Sequence, residues 1–286
     1  MAYSRVPIAD AHSHVNAAKG VGASELADRF RGSGGWFIAL VSVSPWDYGI
    51  TIAPEEAYMK SLDIHVRACR EVRERGLRVA CLAGFYPGDV DRLASGGMRP
   101  SEILRLGHEV IRQEFKMCRE GLLDGIGEVG RQHYKTAPLN LLVSELIMEE
   151  AIRVASDSGC IVHLHLEDVG PDTVLLTNEV IGRLNVKPSP RVVFHHARPD
   201  MVATASSLGY ASTVYGREEA LRAAISRGAL GFMVESDFNG LSDSLVAPWT
   251  LGPLEGELLA ESILTEDDMY RLNVDNIVRT YGVTPP

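Results

Sequence analysis

The sequence has 286 residues, 45% of them hydrophobic and 23% charged, with a formal net charge of -10. Such a mixture excludes a disordered chain and supplies apolar material for a sizeable core. The acidic balance, with Lys and Arg scattered rather than gathered into a run, disfavours strong nonspecific binding to nucleic acid, although metal ions in a cleft can invert the local potential for an anionic substrate.

Met-Ala-Tyr-Ser-Arg-Val-Pro leads straight into an apolar segment without the apolar run of a signal peptide. No later stretch has membrane length, so a cytoplasmic protein without membrane partners is expected. Short apolar runs then alternate with helical-period stretches to the end of the chain. Strands are expected at 6–10, 36–43, 78–85, 125–129, 160–165, 191–195, 210–214 and 230–236. The clearest helices are expected at 54–75, 100–120, 139–158 and 217–227, with Gly76, Gly121, Gly159 and Gly228 as their stops.

Repeated βα units with one handedness of crossover close into an α/β fold, a TIM (β/α)8 barrel, as a single domain over 1–286. An open doubly wound sheet would show a glycine-rich phosphate turn after its first strand, where His12-Ser13-His14 stands instead. Segments 44–53, 168–171 and 239–256 read as irregular loops over the C-terminal face of the barrel, where barrel enzymes place their sites. Cys69, Cys81, Cys118 and Cys160 are far apart and form no C-x-x-C pair, so reduced, buried thiols are expected.

Strand ends carry the chemistry. His12 and His14 are two residues apart and share one face of an extended segment. Glu128 closes the glycine-rich strand Gly125-Ile126-Gly127-Glu128, and a carboxylate there can bridge two cations. On the fifth strand His165 is nearer the rim than His163, which suits a hydrogen-bonded core position better. His195 and His196 are adjacent and point to opposite faces of an undistorted strand; His195 is taken as the ligand. Asp237 ends the eighth strand, with Glu235 one step deeper on the same face. Either member of the 163/165 and 195/196 pairs remains possible from spacing alone. Imidazole and carboxylate donors suit two divalent cations, zinc first and manganese or magnesium next.

The order of these motifs resembles the TatD-related metal-dependent hydrolases of the amidohydrolase superfamily. Asp10-Ala11-His12-Ser13-His14, Gly127-Glu128-Val129-Gly130 and Glu235-Ser236-Asp237 are the specific parts. Gly127 to Tyr134, Val162 to Glu167 and Asn273 to Gly282 are similar to a little-characterised archaeal branch annotated simply as metal-dependent hydrolases. The resemblance implies one cation among His12, His14, Glu128 and Asp237, and a second among Glu128, His165 and His195. It also selects His165 and His195 from the ambiguous pairs.

Glu167 stands where many TatD nucleases carry an arginine, and His196-Ala197-Arg198-Pro199 replaces a small-residue stretch. Arg131, His133 and Arg198 are the expected substitutes for binding substrate. The function expected is hydrolysis by a cation-activated water, with Glu128 and Asp237 as catalytic carboxylates. The substrate expected is a phosphoester, either a small molecule or a nucleotide or nucleic-acid end, as in DNases. Amide or lactone hydrolysis is the alternative, and a metal-binding scaffold without turnover is the reading from another class.

Overall fold

The computed structural model describes residues 6–16, 18–241 and 244–286. Residues 1–5 of the opening segment, and 242 and 243 of the third expected loop, lie outside them. Eight parallel strands pair in chain order: β1 (Ile8–His14), β2 (Gly35–Val41), β3 (Arg78–Ala83), β4 (Gly125–Gly130), β5 (Ile161–His165), β6 (Val192–Phe194), β7 (Ala211–Tyr215) and β8 (Met233–Glu235). Closure comes just beyond β8, where Ser13 bridges Phe238 and the Asp237 N–H donates to the His12 carbonyl at 3.0 Å. The expected (β/α)8 barrel is the observed architecture.

Helices follow the apolar periodicity closely. Pro54–Glu74, Pro100–Arg119, Pro138–Ser158 and Glu218–Ser226 match expectation within two residues at each end. Three of these begin on proline, whose missing N–H would be unpaired in the first turn anyway. Gly76, Gly121, Gly159 and Gly228 all sit in the left-handed region that ends helices. Among the described residues, no helix is long and apolar enough to cross a membrane.

Apolar side chains form a shell between strands and helices, and a separate cluster fills the barrel itself. That inner cluster includes Ala9, Ala11, Phe37, Val193 and Met233, joined by Ile277 and Tyr281 of the helix Asn276–Tyr281. Tyr281 donates from its hydroxyl to the Ala11 carbonyl at 2.8 Å, so the last helix is tied to the strand that carries both opening histidines.

Three expectations are corrected. β1 runs to His14 rather than stopping at Asp10, with an extra residue between Asp10 and Ser13 relative to β2. Asp10 is the physical reason: its buried carboxylate accepts from the His12 and Ser236 N–H groups at 3.3 and 2.9 Å, bending β1 onto the end of β8. Second, the segment 239–256 is not wholly irregular, because Pro248 opens a helix to Ala260 that buries Leu251 and Leu258 despite its internal glycines and Pro253. Third, the cysteines are paired rather than free. Cys69–Cys81 and Cys118–Cys160 form disulfides, with Cα separations of 5.9 and 6.6 Å, within bridging range. The first joins the helix Pro54–Glu74 to β3 and the second joins the helix Pro100–Arg119 to the entry of β5, a proximity the spacing in sequence does not contain.

Candidate metal centre

At the C-terminal mouth of the barrel, His12, His14, Glu128, His165, His195 and Asp237 come together. Glu128 stands at the middle. Its Oε1 lies 3.0 Å from His12 Nε2, 3.3 Å from His14 Nε2 and 3.9 Å from His195 Nε2, while its Oε2 lies 2.8 Å from His165 Nδ1. Asp237 Oδ1 approaches His14 Nε2 at 3.7 Å and His195 Nε2 at 3.9 Å. Glycine lets β4 carry Glu128 this close to β5, because a Cβ on Gly127 would sit 2.7 Å from the His163 Cβ.

Hydrogen bonds on the far side of each ring determine which nitrogen faces Glu128. His14 Nδ1 must donate to the Val41 carbonyl, 2.9 Å away, because a carbonyl only accepts. His195 Nδ1 shares a hydrogen bond of 2.7 Å with the buried Glu235 carboxyl, which leaves Nε2 turned toward the carboxylates. The chain behind His12 is longer. The Tyr281 hydroxyl spends its proton on Ala11, so His163 Nε2 donates to Tyr281 at 2.9 Å. His163 Nδ1 is then the acceptor for His12 Nδ1–H at 2.9 Å. Burial holds His163 well below the ordinary imidazole range, in keeping with that neutral form.

His12 therefore presents an unprotonated Nε2 to Glu128, and His14 and His195 turn the same ring nitrogen toward the carboxylates. Lone pair faces lone pair at 3.0 Å between His12 and Glu128, an arrangement that a cation between the two atoms makes favourable. His165 is buried, with Glu128 Oε2 beside its Nδ1 and no hydrogen-bond partner on Nε2. The carboxylates and imidazoles perturb one another strongly. Burial opposes the charged forms of His14 and Glu128, yet Asp237 and Glu128 outweigh it and raise His14 to about 10. In the same way the imidazoles of His165, His12 and His14 hold Glu128 well below the carboxylate range. The donor set fits divalent cations.

The remaining expected residues are placed differently. Arg131 is not directed into the site: its guanidinium donates to both Glu167 oxygens at 2.7 and 2.8 Å, to Glu145 at 2.9 Å and to the Thr177 hydroxyl at 2.9 Å. Glu167 is what captures it. Arg198 points along the surface to Asp168 and Asp200, at 3.4 and 3.2 Å. His133 does line the cavity, which has a volume of about 470 Å³. His163 is held behind His12, and Glu235 behind His195, as outer partners.

A family model described as TatD related DNase matches residues 9–282. The chain belongs to that family. It is a TatD-family metal-dependent hydrolase on a TIM barrel. An uncharacterised protein of Methanocaldococcus jannaschii is 24% identical over 286 residues, spanning 97% of this chain and 96% of that one. Among solved structures, a TatD-like protein from Archaeoglobus fulgidus superimposes with a TM-score of 0.62 at 13% identity, covering 96% of this chain and 100% of the other. A mutant of a Deinococcus radiodurans PTE-like lactonase does so with a TM-score of 0.63 at 16% identity, covering 99% and 98%. Those two likenesses concern the fold.

Sequence reasoning about this TatD-family chain missed Tyr86, Lys19 and Asn239 on the cavity wall and Tyr281 beneath it. None of the first three belongs to a motif with a recognisable spacing. Tyr281 lies in the closing segment, and nothing local links it to His163, 118 residues away.

Proposed function

We propose that this protein hydrolyses a compact phosphoester, of a small molecule or a nucleotide end, with two divalent cations held by His12, His14, Glu128, His165, His195 and Asp237. The carrying observation is the convergence of four imidazoles on the carboxylates of Glu128 and Asp237. Zinc suits these donors first and manganese or magnesium next, and such cations supply Lewis acidity and lower the pKa of a water.

Glu128 is enclosed by imidazoles and acts as the fixed central carboxylate. Asp237 is more open, its side chain 38% exposed toward the cavity, so it is the group able to orient the attacking water and take its proton. Tyr86 lies on the wall with its ring 5.1 Å from that of His165, and burial pushes its phenol up, keeping it a neutral hydrogen-bond donor. Since Arg131 and Arg198 are occupied by carboxylates, the phosphoryl group is anchored by the centre itself, aided by Lys19, whose exposed pairing with Asp47 is weak. That favours an ester end over a length of duplex.

The same absence of a free arginine among the described lining residues supports a second reading, hydrolysis of a lactone, the activity printed for the Deinococcus relative in fold. Metal-reconstituted protein assayed against phosphomonoesters, phosphodiesters, lactones and amides separates the two. Turnover of phosphoesters that is lost on chelation and in Glu128→Ala is expected. Turnover of lactones alone would move the assignment to the second reading, and full cation occupancy with no turnover would leave a metal-binding scaffold.

A further inference from the structure

Six imidazoles crowd the mouth of the barrel, and they fall into two sets. His12, His14 and His195 gather on Glu128 Oε1, and His12 and His195 stack with ring centroids 3.5 Å apart. His165 faces Glu128 Oε2 instead. Its ring lies nearer to His196, at 4.6 Å, and to His133, at 4.9 Å, than to His195, at 5.8 Å. One nitrogen from each of His133, His165 and His196 lies within 4.8 Å of the others.

His196 reaches this set by leaving the strand conformation. In an extended segment it would point away from the face His195 occupies. At φ 42° it turns into the left-handed region, with its N–H donating to the Thr213 hydroxyl at 3.2 Å. A histidine seldom adopts that conformation without compensation, and such residues concentrate at functional sites. His196 Nε2 and His165 Nε2 are buried with no hydrogen-bond partner, while His165 Nδ1 faces Glu128 Oε2 at 2.8 Å. Unpaired buried polar atoms are costly, and a cation held among the three rings would take one nitrogen from each.

We infer that the second cation of this protein is held by Glu128 Oε2, His165, His196 and His133, with His195 serving the first cation beside His12, His14 and Asp237. This inference rests on the proposed cation-dependent function and differs from the division that family resemblance implies. Three imidazoles and one carboxylate oxygen form a donor set suited to four-coordinate zinc, and His133, on the solvent side, is the ligand that can yield its position to substrate or water.

The test is cation stoichiometry rather than turnover. Full-length protein stripped by chelation is titrated with Zn(II) by calorimetry and with Co(II) by visible absorption, alongside His133→Ala, His196→Asn and His195→Ala. Asn is chosen because it tolerates the left-handed backbone. Two equivalents are expected for the unmodified protein. His133→Ala and His196→Asn should weaken the second by about tenfold or more, beyond the minimum for losing even an outer partner, while His195→Ala weakens the first. If His195→Ala weakens the second equivalent and the other two variants bind as the unmodified protein does, the inference is overturned and the hydrolase reading survives. No binding by the unmodified protein would overturn both.

Discussion

The two halves of the metal centre are built differently. On the β1 and β8 side, every histidine is held from behind: His14 by Val41, His12 by His163 and Tyr281, His195 by Glu235. Asp10 then locks the two strands together through the Ser236 N–H and hydroxyl. On the β4 and β5 side, His165 has no outer partner, and His133 is exposed at the rim. The first half is organised before a cation arrives; the second is organised mainly by the loop that carries it. Ordering of ligands in advance lowers the entropic cost of binding, so the first half should hold its cation more tightly.

Substitutions that act on one half at a time can break that comparison. Arg131→Met should have the largest effect. Arg131 ties the loop after β4 to β5 through Glu167, Glu145 and its own N–H to the His165 carbonyl at 2.8 Å. Breaking this partly buried network should cost about 3 kcal/mol, at the low end for buried ion pairs, and should weaken the second cation selectively. Urea unfolding of the stripped protein and cation titration measure the two consequences; loss of the first cation instead would contradict the division.

Next in size is Tyr281→Phe, which removes the hydroxyl that orients His163. The structure predicts about a tenfold loss of affinity for the first cation, the usual scale for an outer partner, with the second unchanged. Equal losses at both would show that the halves are not separable. Direct titration with Co(II), followed by visible absorption, reads this out.

Glu255→Gln sharpens the comparison by a smaller, pH-dependent effect. Glu255 accepts from the Asn273 side-chain amide N–H, and the side-chain Oδ1 of Asn273 accepts from the Ala9 N–H at 2.8 Å, so Glu255 supports the start of β1. Burial raises its carboxyl from 4.5 to about 8, partly offset by Asn273. The folded protein therefore keeps a proton that the unfolded chain releases, and stability falls as pH rises from 4.5 to about 8. Melting of the stripped protein at several pH values should show a shallower decline in Glu255→Gln. The decline should not vanish, because Asp89, raised to about 7 by burial, has the same sign. An unaltered slope would remove Glu255 from the support of β1.

Much of this was legible in the sequence because strand ends in a parallel barrel share one rim. His12, His14, Glu128, His165, His195 and Asp237 each end or follow an apolar run, and the barrel's order brings them together. Arg131 was misjudged for a physical reason: a cation near a motif suggests an anion ligand, but Glu167, Glu145 and Thr177 reach it from three other elements. The helix Pro248–Ala260 was missed because its glycines and Pro253 mask the apolar period that packing against the barrel supplies. The cysteine pairs were missed because contact across a helix and strand leaves no spacing to read.

The sequence by itself determined the alternation of strands and helices, hence the barrel and the donors at its mouth, since periodicity and chain order are local properties. Tertiary structure decided the rest. Which nitrogen of His12 is free depends on Tyr281 at the other end of the chain. Whether His196 joins its neighbour at the mouth depends on one left-handed residue held by Thr213. Protonation and side-chain direction are set by partners distant in sequence, and only the folded chain brings those partners together.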